Sequence, residues 1–294
     1  MFKNIKKKIS REIIGNDDKI EMSLACIISG GHILIEDLPG TGKTTFAKAL
    51  TKALKLEFKR IQFTSDLLPS DIIGYNINKN NQLEFQKGPL FSNIVLADEL
   101  NRSSPKTQSA FMEAMEEKNV TVDGETYKLP NPFIIIATQN PSDLSGTSIL
   151  PESQLDRFMI SYSLNELNDD DQLKVLKEFK KDEDLQNFEK FDLTKLNLQK
   201  QKIIMEDIVF NYILNISKYI KENLQEIHIS SRCLKFIVSM SKSLALIRES
   251  NIVTFNEVQE VLPYLLRHRI NLVNRKEVDR FIQKKIIEKV YLPK

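Results

Sequence analysis

The sequence has no tryptophan, only two cysteines among 294 residues, and no long apolar stretch. A helix that crosses a bilayer needs about 20 consecutive apolar residues, so no membrane span is expected. Cys26 and Cys233 lie far apart in apolar surroundings, which predicts buried thiols in a reducing cytoplasm rather than a disulfide or a metal pair. Residues 1–10 are basic but include no apolar core, so they do not resemble a secretory signal.

An excess of charge of one sign is also lacking, because 42 Lys and Arg side chains balance 40 Asp and Glu side chains. Proteins that bind nucleic acid usually have a basic patch or an aromatic–basic stripe, and neither is evident here. Nucleic acid is therefore not an expected partner. Hydrophobic residues make up 41% of the chain, which is enough for a buried core at this length.

Glycine and proline are scarce in the second half of the chain. All nine glycines lie at or before Gly146, and eight of the ten prolines lie at or before Pro151. Turn-rich sequence is typical of strands and loops, whereas sequence without helix breakers is typical of helical domains. We therefore predict an α/β domain over residues 1–165 and an all-α domain over residues 166–294.

The strongest motif is a glycine-containing loop between a predicted strand, 33–35, and a predicted helix, 46–56. Backbone N–H groups of such a loop and the N-terminus of the following helix bind phosphate oxygens. The lysine of the motif reaches the β- and γ-phosphates, and the next hydroxyl binds Mg²⁺. Asp37 stands where the usual pattern has its first glycine. The predicted nucleotide-binding residues of this loop are Asp37, Leu38, Pro39, Gly40, Thr41, Gly42, Lys43, Thr44 and Thr45.

Two later apolar runs end in polar residues. Run 94–97 leads into Asp98 and Glu99, and run 133–137 leads towards Asn140. Ligands bind at the edge where parallel strands end. We predict that Asp98 holds Mg²⁺ and that Glu99 polarises the attacking water. Asn140 could orient that water or contact the γ-phosphate, although a polar residue at a strand end needs no function.

Three further candidates have alternative interpretations. Ile13 and Ile14, before a predicted helix, could wall an adenine pocket, which places Ile14 and Gly15 among the candidate nucleotide-binding residues, but the residues alone favour an ordinary hydrophobic staple. Arg157 could form a salt bridge with Asp156 or project into the nucleotide site of a neighbouring subunit. Arg232 lies in the first turn of a predicted helix, where the helix dipole disfavours a cation, which indicates an anionic partner.

Two short hairpins are predicted within the α/β domain. One, within residues 71–88, has alternating runs around Asn80 and Asn81, and the other, within residues 119–130, turns at Asp123-Gly124. Asp-Gly between alternating runs is a strong hairpin signal.

Taken together, these motifs resemble the MoxR subfamily of AAA+ ATPases over residues 10 to 270. The resemblance implies an ASCE-type P-loop sheet followed by a helical lid, with ATP and Mg²⁺ as ligands and assembly into a homo-oligomeric ring, expected to be a hexamer. Asp37 is then the family's own variant. By matched position, Walker A includes Lys43 and Thr44, Walker B includes Asp98 and Glu99, sensor 1 is Asn140, the arginine finger is Arg157, and sensor 2 is Arg232. The matching segments are 36–44, 61–64, 66–71, 88–91, 96–102, 105–110, 137–141, 150–158, 230–232 and 265–269.

Function follows from the resemblance as an expectation. Members of this family often act as chaperones that assemble or activate client complexes together with von Willebrand factor A-domain proteins, here a separate chain. The two hairpins would then be the helix-2 insert and the pre-sensor-1 hairpin on the pore face of the ring. A nucleic-acid-associated motor and a nucleotide-dependent switch are the alternatives. The charge balance argues against the first, and the complete catalytic set argues against the second.

Overall fold

The computed structural model describes residues 1–37, 40–140, 150–177, 191–270 and 277–292. Their strands are β1 (Ile33–Glu36), β2 (Phe58–Gln62), β3 (Gly74–Lys79), β4 (Gln82–Lys87), β5 (Ile94–Asp98), β6 (Asn119–Val122), β7 (Glu125–Lys128), β8 (Ile134–Gln139) and β9 (Ile160–Tyr162). Their α-helices are α1 (Phe2–Glu12), α2 (Asp17–Ile28), α3 (Lys43–Leu54), α4 (Pro69–Ile73), α5 (Pro105–Glu117), α6 (Glu152–Leu155), α7 (Asp169–Lys177), α8 (Leu193–Gln201), α9 (Asp207–Asn223), α10 (Ser231–Ile247), α11 (Phe255–Leu266) and α12 (Val278–Ile282).

Five parallel strands form the central sheet in the order β2-β5-β8-β1-β9. The strand β8 lies between β1 and β5, and its Ile136 pairs with Ile33 on one side and Leu96 on the other. Side chains alternate between the two faces of a strand. Accordingly, Ile33 and Ile35 belong to one hydrophobic cluster and Leu34 to another. Because both of their faces are covered, the central strands β1, β5 and β8 are mostly apolar. The predicted α/β sheet is confirmed.

Two antiparallel hairpins project from this sheet, β3–β4 and β6–β7. They contact each other, since the rings of Phe85 and Tyr127 stack with their centroids 4.0 Å apart. The Asn76 side chain donates a hydrogen bond to the Asp123 carboxylate at 2.7 Å. The hairpins therefore pack together on one side of the domain.

The helical part after β9 has well-formed helix starts. Ser230 caps α10 by accepting the Cys233 N–H at 3.1 Å, and Thr254 forms a capping box with Glu257. The sequence shows helical spacing from Ile203 to Leu224, but α9 begins only at Asp207, so the prediction of a helix was wrong for the first of these residues. Ile204 instead pairs with the loop at 251–253: its N–H donates to the Asn251 carbonyl and its carbonyl accepts the Val253 N–H, each at 2.9 Å. The sequence also predicts a basic amphipathic helix from Val278 to Val290, but α12 ends at Ile282 and a π-helical turn over Gln283–Ile287 follows it.

The helical part packs directly on the α/β part. Helix α10 lies against α2, where the hydroxyls of Ser29 and Ser243 are 2.8 Å apart. Arg267 donates to the Ser163 hydroxyl at 3.0 Å. One hydrophobic cluster runs through both parts, so their packing is continuous. Within the described residues, no helix is long and apolar enough to cross a bilayer.

Both cysteines are buried free thiols, as predicted. Burial raises the pKa of the Cys26 thiol and of the Cys233 thiol, since a thiolate is poorly solvated in an apolar core. Neither thiol is expected to be reactive at neutral pH.

His32 connects the end of α5 to the sheet. Its Nδ1 accepts the Ile135 N–H at 3.0 Å, which leaves Nε2 to donate to the Met115 carbonyl at 3.2 Å. Burial lowers the pKa of His32 from 6.5 to about 4. The folded protein therefore holds this imidazole neutral over a range in which the unfolded chain protonates it.

We expect the free energy of unfolding to decrease as the pH falls from 6.5 towards 4. In this window the unfolded chain binds a proton at His32 and the folded chain does not, so protonation favours unfolding. The difference is roughly 3 kcal/mol at most. Urea denaturation at pH 7 and pH 5 measures it. The variant His32→Gln should show a smaller loss than the wild type, and the exposed control His228→Gln should behave as the wild type. Equal losses in all three proteins would contradict this assignment.

Candidate functional site

A cleft of about 430 Å³ lies at the carboxyl edge of the sheet. It is bounded by the loop after β1 together with the ends of β2, β5 and β8. The sequence predicted that the phosphate loop and the acidic pair would meet there, and the structure brings them together. The lining residues are Gly40, Gly42, Lys43, Thr44, Thr45, Arg60, Gln62, Asp98, Glu99, Thr138, Gln139 and Asn140.

The phosphate loop turns through two glycines. Gly40 and Gly42 have φ angles of +85° and +89°, and no atom of the described residues lies within 4 Å of where a Cβ would stand on either residue. This left-handed backbone favours glycine and exposes the peptide N–H groups of the loop. Gly42 caps α3 directly, so the positive end of the helix dipole also faces the cleft. Leu38 and Pro39 lie outside the described residues.

Lys43 is half-buried at the base of the loop. Its Nζ donates to the Asp37 carbonyl at 3.0 Å. Burial lowers the pKa of this ammonium, and the carboxylates of Asp37, Asp98 and Glu99 act in the opposite direction. A cation held against acidic groups in a cleft is suited to bind phosphate oxygens.

The two acids at the end of β5 have different partners. The Oδ1 of Asp98 accepts a hydrogen bond from the Thr138 hydroxyl at 2.5 Å, and its Oδ2 accepts one from Arg60 Nη2 at 2.6 Å. The carboxylate of Glu99 accepts the Gln62 amide at 2.8 Å. Glu99 also has a φ of +56°, a left-handed backbone that is uncommon for this residue type. Backbone strain of this kind concentrates at functional sites.

Thr138 positions both acids. Besides its bond to Asp98, its hydroxyl accepts the Glu99 N–H at 3.0 Å, and the residue is 1% exposed. Arg60 and Gln62 lie two residues apart on β2, and both side chains reach the cleft. Thr138, Arg60 and Gln62 were not predicted from the sequence as residues of the site. For Arg60 and Gln62, the available signal was the polar face of 58–62, which lies on a strand that ends at the same edge of the sheet as Asp98.

Replacing Thr138 with Val should destabilise the protein by about 1–3 kcal/mol, because the Glu99 N–H loses a buried acceptor. The Mg²⁺ concentration for half-maximal binding of a fluorescent ATP analogue should also rise, since Asp98 loses the hydroxyl that fixes it. Urea denaturation and a Mg²⁺ titration measure the two effects. Thr126→Val, on an exposed hairpin face, is the matched control. A Thr138 variant indistinguishable from that control would remove Thr138 from this role.

The residues present fit a magnesium–nucleotide complex. Thr44 and Asp98 offer oxygen ligands in the same cleft, and Mg²⁺ prefers a few such ligands together with phosphate and water. Across the described part of the chain, no group of three or more His, Cys, Asp or Glu side chains forms a metal site. The metal would therefore be held jointly by protein and phosphate oxygens.

Arg157 and Arg232 lie away from this cleft. Arg157 Nη2 is 3.0 Å from Glu116 Oε2, and Arg232 contacts Glu116 Oε1. The alternative of a salt bridge between Arg157 and Asp156 was therefore wrong. Asp156 instead accepts hydrogen bonds from Ser230 and Arg269, whose side chains converge on it from the helical part. The anionic partner expected for Arg232 is supplied within the same chain.

The two arginines line a second cavity, of about 250 Å³. Its wall includes Gly31 and His32, which precede β1, whereas the phosphate loop follows β1. The two sites thus lie at opposite ends of a strand that is four residues long, or about 13 Å. Arg157 and Arg232 are not brought to the nucleotide cleft of their own chain.

Ile14 and Gly15 are not among the residues that line the nucleotide cleft. The neighbouring Ile13 is buried in the core, and the Gly15 carbonyl accepts the Asn165 side chain at 2.7 Å. The assignment of Ile14 and Gly15 to nucleotide binding stays a prediction.

The fold and the cleft define a P-loop ATPase of the AAA class. Residues 32–160 match the model of the ATPase family associated with various cellular activities (AAA), and residues 217–289 match the AAA lid domain. A crystal structure of a protein from Cytophaga hutchinsonii, proposed to be an ATPase, superposes with a TM-score of 0.84. That protein is 34% identical, and the match covers 99% of this chain and 94% of the other.

Similarity to individual proteins shows to which family of AAA+ ATPases the chain belongs. The chaperone MoxR1 of Mycobacterium tuberculosis is 31% identical over 297 residues, which cover 96% of this chain and 79% of that protein. The uncharacterized protein YeaC of Bacillus subtilis is 40% identical over 271 residues, covering 90% of this chain and 85% of that one. The chain therefore belongs to the MoxR family of AAA+ ATPases.

Proposed function

We propose that this protein hydrolyses ATP to ADP and phosphate in the cleft at the carboxyl edge of the sheet. The observation that carries the proposal is the convergence of the phosphate loop, both acids of β5 and Asn140 on one cavity. Phosphoryl transfer depends mainly on positioning and electrostatic stabilisation, which are the properties of such a cleft.

Each residue has a specific task in this proposal. The loop N–H groups and Lys43 hold the phosphates, and Thr44 and Asp98 hold Mg²⁺. When bound, Mg²⁺ neutralises charge that develops on the phosphate oxygens. Glu99 accepts a proton from the attacking water, and Asn140 orients that water or the γ-phosphate.

The arginine positions support a ring. Since Arg157 and Arg232 face away from their own cleft, they complete the cleft of a neighbouring copy if they act on nucleotide at all. A contact between different faces of identical chains closes into a ring when the rotation from each copy to the next divides a full turn. We propose a homo-oligomeric ring, expected to be a hexamer, in which Arg157 and Arg232 approach the γ-phosphate of the next protomer.

The wider role that we propose is ATP-driven assembly or activation of client protein complexes. It is supported by family membership and by a relative named as a chaperone. The paired hairpins β3–β4 and β6–β7, with Leu83 exposed near the tip, would contact the client from the pore face. A separate protein with a von Willebrand factor A domain is the proposed partner.

Phosphate release from ATP, with and without Mg²⁺, tests the proposed reaction. Release that needs both Mg²⁺ and an intact Lys43 is expected, and absence of release from well-folded, assembled protein would contradict it. Clients can be captured on the Glu99→Gln protein with ATP. Chains that remain bound with ATP, and not with ADP or with Lys43→Ala protein, are the candidate clients.

A further inference from the structure

Glu116 holds Arg157 and Arg232 together. One carboxylate oxygen contacts each guanidinium group, and the side chains of all three residues are between 28% and 38% exposed. A phosphate group offers the same arrangement, with separate oxygens that each accept a charge-assisted hydrogen bond from an arginine. Glu116 therefore occupies the place of an anion between the two arginines.

The position of Glu116 is not explained by helix stability. It is the penultimate residue of α5, and the last turn of that helix contains no basic residue. A carboxylate at a helix C-terminus is disfavoured by the helix dipole. Ion pairs that are this exposed contribute little to folding. The contact is thus weak enough to break and remake.

The charges around the cavity favour an anion that bears more negative charge than the carboxylate of Glu116. Lys118 lines it together with both arginines, so three cations face the single carboxylate of Glu116. Asp156 Oδ2 is 4.0 Å from Arg232, but this carboxylate already accepts hydrogen bonds from Ser230 and Arg269. A phosphate bears more negative charge than one carboxylate and can displace it.

We propose that Glu116 is an internal stand-in for the terminal phosphate of the neighbouring protomer's nucleotide. It pairs with Arg157 and Arg232 in the separate protomer and releases them when a nucleotide-loaded neighbour docks. This inference rests on the proposed action of both arginines across the protomer boundary. Its consequence is that Glu116 restrains assembly until ATP is present on the adjoining copy.

Anion binding by separate protomers tests the stand-in directly. All variants are made in Lys43→Ala protein, in which the chain's own phosphate loop binds anions weakly. The probe is inorganic tripolyphosphate, and the protein concentration is kept below that at which protomers assemble. Adding Glu116→Gln should tighten binding by about 2- to 10-fold, because the exposed ion pairs that it removes are weak. Adding Arg157→Ala as well should abolish that gain.

Glu117→Gln is the matched control, since it removes the same charge one residue along from an exposed position. Equal tripolyphosphate affinity for the Glu116→Gln and Glu117→Gln proteins in this background would overturn the proposal. A gain that survives Arg157→Ala would also overturn it, because the anion would then bind elsewhere.

Turnover against protein concentration gives the second measurement, in otherwise wild-type protein. ATP hydrolysis by Glu116→Gln should reach half its maximum at a protein concentration about 2- to 10-fold lower than the Glu117→Gln protein requires. An equal or higher concentration would overturn the stand-in role. If Arg157 does not act on the nucleotide of a neighbouring protomer, Arg157→Ala protein keeps full ATP turnover. The tripolyphosphate comparison does not depend on that result, so it still tests the role of Glu116.

Discussion

Replacing Glu99 with Gln is expected to lower ATP turnover by about 10²- to 10⁴-fold, the usual contribution of a positioned general base. The amide keeps the shape of the side chain but cannot accept a proton from water. ATP binding should be retained, since the loop around Gly40 and Lys43 is untouched. Steady-state phosphate release measures the first effect, and titration with a fluorescent ATP analogue measures the second.

The matched control for this experiment is Glu113→Gln, an exposed glutamate on α5 that does not line the cleft. It should retain wild-type turnover. If the Glu99 variant also turned over ATP at the wild-type rate, Glu99 would not be the base. Lost ATP binding would instead show that Glu99 maintains the shape of the cleft.

Replacing Arg157 with Ala is expected to reduce turnover by about 10³- to 10⁵-fold, the range observed for arginines that stabilise the charge of phosphoryl transfer. Nucleotide affinity of separate protomers should be unchanged, because Arg157 and the phosphate loop lie at opposite ends of β1. The measurement pairs phosphate release by assembled protein with nucleotide titration of dilute protein.

Arg280→Ala, an exposed arginine on α12, controls for the loss of a surface guanidinium. Its turnover should match the wild type. Weakened nucleotide binding by dilute Arg157→Ala protein would place this arginine at its own cleft. Wild-type turnover of the same variant would leave only the contact with Glu116 as its role.

Local signals in the sequence were enough to predict the sheet and most of the cleft. A parallel strand covered on both faces shows as an apolar run, so 33–35 and 94–97 were recognisable. The turn at Asp123-Gly124 depends on a few neighbouring residues. Because ligands bind where parallel strands end, Lys43 and Asp98 could be placed together before the structure was known.

Contacts between distant parts of the chain were not predictable in the same way. The partner of Arg157 depends on where α5 ends in space, and nothing near Arg157 in sequence indicates Glu116. The start of α9 shifted because Ile204 pairs with a distant loop. Arg60 was overlooked because an alternating polar side chain on an outer strand of the sheet usually faces solvent.

The two hairpins show both what could be predicted from the sequence and what could not. Their turns were evident from the sequence, but the stacking of Phe85 on Tyr127 was not. That contact joins two segments separated by β5 and α5 and requires the complete fold. Sequence therefore predicted each hairpin, and only the structure shows that they form one packed unit.

Mixing two inactive variants tests the central claim most directly, which is that each nucleotide site is completed by a neighbouring copy. Arg157→Ala protein keeps a working phosphate loop, and Lys43→Ala protein keeps a working arginine. In a random equimolar ring, about a quarter of the boundaries combine both intact parts. Phosphate release by the mixture should therefore recover to about a quarter of the wild-type rate, whereas each variant alone is inactive. A mixture no more active than the sum of its two components would contradict the account.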